Sequence, residues 1–170
     1  RSSDLEATYA GTNYVDKVSC KEVIRYNEGA GKKKVVLVDC GVKTNIIRCL
    51  LKRDVEVIRV PWNHDFTGME YDGLFISNGP GDPDTCDEAV QHIRKAMSLS
   101  DKPIFGICMG NQLLSKAGGA IIYKLKYGHR SHSRFSGGHG GHYRPGEGHW
   151  IQQLQLNGRR PGHGRKKKKK

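Results

Sequence analysis

The chain has 170 residues, of which 36% are hydrophobic and 22 are glycine, and its formal net charge is +12; that fits one domain, or part of a larger one, with less apolar content than a compact domain ordinarily carries. No run approaches the roughly 18 apolar residues of a membrane span, which excludes an integral membrane protein, and no charged-then-apolar leader opens the sequence. Five cysteines, at positions 20, 40, 49, 86 and 108, are odd in number and widely spaced, which argues against a disulfide framework or a zinc site and for a reducing, cytoplasmic setting.

Residues 1–33 are mixed and polar. Val18–Ile24 reads as one extended stretch and Asn27–Gly31 as a loop, so the segment is expected to be a linker from an upstream domain. From Lys34 the pattern becomes regular. Lys34–Asp39 (KVVLVD) is a Val-rich run typical of a strand buried on both faces. Cys40-Gly41 is a turn. Lys43–Arg53 spaces Ile46, Ile47, Leu50 and Leu51 at helical intervals and ends in cations. Val55–Val60 is a second strand and Gly73–Ser77 a third, the latter running into Asn78-Gly79-Pro80-Gly81-Asp82-Pro83. Asp84–Met97 predicts a helix with Ala89, Ile93 and Met97 on one stripe. Lys102–Ile107 is a fourth strand, Met109–Ala117 a helix and Ala120–Lys124 a further strand. Short apolar strands alternating with helices predict an α/β fold, an open parallel sheet with helices on both faces. A site is then expected at the carboxyl ends of the strands.

Beyond position 130 the polypeptide changes character. Residues 131–170 hold ten Lys/Arg against one acid, Glu147, a net of +9, together with nine of the glycines and five of the eight histidines. Aliphatic residues are few there and follow no helical or strand period, so a disordered basic tail is expected. The domain itself is assigned to 34–130.

Phe105-Gly106-Ile107-Cys108-Met109-Gly110-Asn111-Gln112 carries the chemistry. It is G-x-C-x-G between a buried strand and a helix, the cysteine form of a nucleophile elbow. Gly106 and Gly110 remove side chains that would collide in so tight a turn. Cys108 is then held at a helix N-terminus, where partial positive charge favours the thiolate, and the Met109 N–H points to where an oxyanion would form. A lone cysteine at such a junction is ordinarily a small buried side chain; two glycines at these offsets favour the nucleophile instead. Cys20, Cys40, Cys49 and Cys86 lack this setting. Gly79-Pro80-Gly81 should lie at the same edge and can bring bare backbone, and an N–H, to a ligand.

Val38–Arg48 (VDCGVKTNIIR), Ser77–Pro83 (SNGPGDP), Gly106–Leu114 (GICMGNQLL) and Lys126–Arg130 (KYGHR) together resemble the small, glutamine-hydrolysing subunit of carbamoyl-phosphate synthase, a class I glutamine amidotransferase. The matching stretches run from about Val18 to His132. The elbow alone marks the wider class; the first and last segments favour the carbamoyl-phosphate branch. The resemblance implies a flavodoxin-like fold of which this is the first half. It implies that Cys108 attacks the carboxamide of glutamine, that Gly79 and Met109 serve oxyanion and substrate through their backbone, and that Gly81 and Gln112 help hold glutamine. It implies a large-subunit partner that uses ATP, Mg and bicarbonate, with no cofactor or metal in this chain. The family often has His at the place of Asn111 and Leu at that of Met109.

The family's catalytic His and Glu lie further on, in segments without a counterpart here, and an upstream domain supplies a serine. His139, His142, His149 and His163 sit in no matching motif. Register is lost just after Ser131-His132, and the chain ends in Lys166–Lys170 as an adenine run would be read, which favours a shifted reading frame for the tail. The expectation is therefore an incomplete glutaminase of weak or no activity. The alternative is a non-catalytic α/β fragment whose basic arm binds polyanions, nucleic acid included, without specificity. An α/β-hydrolase fits less well, having no place for the Gly-Pro-Gly loop.

Overall fold

Strand β2, Lys33–Asp39, is the axis of the molecule in the computed structural model, which describes residues 11–120, Ile122 and, by their backbone, Gly140–Tyr143 and Trp150–Gln152. It pairs in parallel with β3 (Val55–Pro61) on one side and β4 (Gly73–Ile76) on the other, and β4 pairs in parallel with β5 (Ile104–Ile107). Helix α2 (Thr44–Leu51) joins β2 to β3, α3 (Asp87–Leu99) joins β4 to β5, and α4 (Met109–Ala117) follows β5. The chain thus winds from β2 outward in one direction and then returns to wind in the other. This places the topological switch between β2 and β4, the position at which open α/β sheets ordinarily bind ligands, outside the carboxyl ends of their strands.

Side-chain alternation along the strands separates two cores. Val36, Val38, Ile58, Val60, Leu74, Ile76 and Ile104 face α3 and α4, meeting Ala89, Ile93, Leu113 and Leu114. Leu37 and Val57 face the opposite way and are covered by Ile47 and Leu50 of α2. Helices therefore lie on both faces, as the alternating pattern predicted. No helix among the described residues is long and apolar enough to cross a membrane.

Three differences from the sequence reading are physical. First, the segment read as a linker contributes structure: α1 (Tyr14–Val18) packs Val15 into the core, and β1 (Ile24–Tyr26) pairs antiparallel with β3. The domain boundary at 33/34 therefore cuts through the described fold, and Val18–Ile24 is not one extended stretch. Second, the sheet is mixed: β6 (Gly140–Tyr143) pairs antiparallel with β5, and β7 (Trp150–Gln152) with β6. The remainder of 131–170 lies outside the described residues, as does most of the strand expected over 120–124. Third, the helix expected from Asp84 begins at Asp87, because Asp82 accepts from the Asp84 N–H and closes Pro83–Thr85 into a separate 3-10 turn.

Candidate active site

The exits of β2, β4 and β5 converge at one edge. The β5 exit is the tightest turn. Cys108 has φ 53° and ψ −110°, a conformation that L-residues rarely hold. It is the N-cap of α4, and its carbonyl receives the Gln112 N–H at 3.1 Å. The Gly110 N–H donates to the Ser77 carbonyl at 3.0 Å, fastening the elbow to the β4 exit. A Cβ on Gly110 would lie 2.1 Å from the Ile76 carbonyl oxygen, and one on Gly106 2.5 Å from the Gly110 carbonyl carbon. Both glycines are thus required by close backbone approach. Strain held by the surrounding structure at an exposed cysteine is the pattern of a reactive site.

The β4 exit carries the Gly-Pro-Gly loop. Ser77 is fully buried; its hydroxyl accepts the Cys40 N–H at 2.9 Å and donates to the Asn78 carbonyl at 2.8 Å. Asn78 then bridges to the β2 exit, donating to the Gly41 carbonyl and accepting the Lys43 N–H, each at 3.3 Å. Gly79 is pressed against the same turn, since a Cβ there would meet the Cys40 carbonyl oxygen at 2.1 Å. The loop is tied to the elbow helix from its far end as well: Lys116 of α4 reaches Asp84 at 2.8 Å and Asp87 at 3.2 Å.

The structure thus brings Cys108, Gly79 and Met109 to one edge, with Met109 buried and Cys108 exposed. Gly81 is exposed at the loop tip and Gln112 is half-buried on the first turn of α4. Asn111 is buried on α4. The other thiols differ in kind. Burial, and then the neighbouring Asp39 charge, push Cys20 up to about 11. Burial also raises Cys86, and raises Cys40 well above the ordinary thiol value. Cys49 lies exposed on α2.

His142 stands opposite Phe105 in the β5–β6 register, on the strand body rather than at the elbow. His139, His149 and His163 fall outside the described residues. His92 engages the Phe66 ring edge-on and lies 3.8 Å from Asp65. Among the described residues no group of three or more His, Cys, Asp or Glu is placed to hold a metal ion.

Two features escaped the sequence reading. Asp39, fully buried at the β2 exit, accepts from the backbone of Cys20, Gly41 and Val42 and from Arg59. The signal was available: a single acid closing an apolar strand is seldom left unpaired. Tyr14, which lies against Gly81, and Asn13, which reaches Thr85 just beyond that loop, gave no local signal.

Comparison with known proteins places the chain in a family. Residues 36–153 match the glutamine amidotransferase class-I family, so that the match runs past His132 and includes β6 and β7. The carbamoyl phosphate synthase small chain of Pyrococcus furiosus is 50% identical over 127 residues, covering 72% of this chain and 34% of that protein. Multifunctional protein CAD of Squalus acanthias is 50% identical over 121 residues, covering 71% of this chain and 5% of its own length. The crystal structure of a GMP synthase component from Thermoplasma acidophilum superposes with a TM-score of 0.50 at 28% identity, covering 56% of this chain and 49% of that one. The chain spans about a third of the archaeal small chain and well under a tenth of the multifunctional protein.

Proposed function

Because this chain belongs to the class-I glutamine amidotransferases, we propose that it is the nucleophile-bearing part of a glutaminase serving carbamoyl phosphate synthesis. The observation that carries the reading is the strained Cys108 between two glycines that admit no side chain. The Cys108 thiolate would attack the carboxamide carbon of glutamine. The oxygen would then become an oxyanion, stabilised by the N–H groups of Gly79 and Met109. Collapse of that intermediate expels ammonia, given a proton donor, and leaves a thioester that water cleaves to glutamate. Gly81 and Gln112 would hold the amino-acid end. The preference for the carbamoyl-phosphate branch is supported by the identity to the small chain, 50% against 28% for the GMP synthase component. Ammonia would pass to a large synthase subunit, where ATP, Mg and bicarbonate are used. The cytoplasm is the compartment proposed for this chemistry.

The test is an affinity label: the chloromethyl ketone isostere of glutamine, in which the Cys108 sulfur displaces chloride and forms a thioether. Labelling of Cys108 should saturate with reagent and be slowed by free glutamine but not by asparagine, whose side chain is shorter. Linear, unprotected labelling would remove the reading.

A further inference from the structure

The Gly79–Gly81 loop is held at its root and exposed at its tip. Gly79 is wedged on the Cys40 carbonyl and Asn78 is bonded into the β2–α2 turn. Pro80 and Gly81, by contrast, are exposed. What the tip touches is α1. A Cβ placed on Gly81, whose φ is +89°, would be 3.3 Å from both Cβ and Cδ2 of Tyr14, so the tyrosine ring root lies against the bare face of that glycine. Next to it, the place of a Cβ on Gly41 is 2.8 Å from Val18 Cγ2 and 3.1 Å from Pro80 Cδ, which puts Gly41 between α1 and the loop.

A short helix can act as a wall only if it is itself fixed, and α1 is fixed along its length. Asn13 caps the helix through the Asp16 N–H and donates to the Thr85 carbonyl at 3.0 Å, just past the loop. Val15 is fully buried. Asp16 accepts from the Trp62 indole at 3.0 Å, and the Ser19 hydroxyl accepts the Trp62 N–H at 3.0 Å. The Cys20 N–H donates to Asp39 at 2.8 Å. Tyr14 is thus a half-buried side chain on an anchored backbone, facing a loop tip that is otherwise exposed.

We propose that Tyr14 is a positioning residue: it sets the Pro80–Gly81 tip, and through it the place where the amino-acid end of glutamine is held against Cys108. The proposal rests on the glutaminase reading for its substrate but not for its structural content. Displacing a substrate-holding segment by about an ångström costs on the order of a hundredfold in reaction efficiency, so a loosened tip should be visible in the chemistry of Cys108.

The experiment compares the chain with Tyr14→Ala, Tyr14→Leu and Tyr14→Phe. Amide exchange is followed by NMR at Gly79, Gly81 and Asp82, with Val36–Val38 of β2 as the internal standard. Cys108 is alkylated in parallel with the chloromethyl ketone isostere of glutamine and with iodoacetamide. Tyr14→Ala should raise exchange at Gly81 and Asp82 by about tenfold and lower isostere labelling about tenfold, with iodoacetamide labelling within about twofold of the parent. Tyr14→Phe should restore both, and Tyr14→Leu carries the test if β2 amides show that the alanine variant has unfolded. Unchanged exchange at the tip overturns the proposal, as does an equal loss for both reagents, which marks a merely structural role. If the parent chain itself shows no advantage for the isostere, the glutaminase reading falls, and exchange at Gly81 and Asp82 still decides whether Tyr14 positions the loop.

Discussion

Arg59 on β3 closes on Asp39 at the end of β2, with its Nη2 2.6 Å and its Nε 2.8 Å from the same carboxylate oxygen. The carboxylate is fully buried and joins the N-terminal segment, the β2–α2 turn and β3 at the very edge where the site lies. Burial alone would raise its pKa; the N–H groups of Val42, Cys20 and Gly41 and the Arg59 guanidinium outweigh it and hold the acid below its ordinary value. A depressed native pKa stabilises the fold above the unfolded pKa and is lost as pH falls through the native one. Stability should therefore fall on acidification below about pH 5, and Asp39→Asn should flatten that limb. Arg59→Leu, which strands the buried charge, should cost about 3–5 kcal/mol in urea unfolding. A loss under about 1 kcal/mol, or an acid limb unchanged in Asp39→Asn, would show that this carboxylate does not govern the edge.

The elbow makes a second prediction, about packing. At Gly110 a methyl group would sit 2.1 Å from the Ile76 carbonyl oxygen and 2.6 Å from its carbon, while at Gly68 nothing lies within 4 Å. Backbone cannot yield as a flexible side chain does, so Gly110→Ala should destabilise by about 3 kcal/mol or more, and Gly68→Ala by less than about 0.5 kcal/mol. Equal denaturation midpoints for the two variants would mean that α4 does not press on the β4 exit.

Sequence alone located the parts whose stability is local. The apolar run ending in Asp39, the helix over Met109–Ala117 and the Cys108 turn each carry their signal within a dozen residues, through apolar periodicity or paired glycines. Helix α1 and strand β1 were not legible for the opposite reason. Tyr14–Val18 is five residues long with Val15 as its buried residue, and β1 is three residues long. Elements that short are marginal by themselves. They hold through partners far along the chain: Asn13 to Thr85, Asp16 and Ser19 to Trp62, Ile24 to Arg59. The same distance in sequence hides Tyr14 from any reading of the Gly-Pro-Gly loop.

A third prediction separates the thiols. Cys108 and Cys49 are exposed, whereas Cys40 and Cys86 are fully buried. Cys20 is half-buried and pushed up to about 11 by burial and by Asp39. The thiolate is the species that is alkylated. Iodoacetamide at neutral pH should therefore modify Cys108 and Cys49 first, Cys20 more slowly, and Cys40 and Cys86 only after denaturation. Mass-mapped labelling that is uniform over all five, with and without urea, would mean the elbow is not formed.

The last prediction concerns turnover, and it follows from what stands around Cys108. The matched segments bring the strained Cys108, the proposed nucleophile, to one edge, with Gly79 and Met109 as proposed oxyanion donors. A glutaminase also needs a base to hold the thiolate and a proton for departing ammonia. His92 is engaged with Phe66 and Asp65, and His142 stands opposite Phe105 on the body of the sheet. Removing partners of a catalytic triad lowers turnover by about four to six orders of magnitude. The 170-residue chain should accordingly release ammonia from glutamine at a small fraction of the rate of a version completed with the histidine- and glutamate-bearing half of the family domain. Cys108→Ser in the completed version should abolish release while leaving its thermal unfolding unchanged. Ready hydrolysis by the chain alone would contradict this and direct attention to His139 or His142, one of which would then have to reach the elbow as its base; replacing each with Gln would identify it.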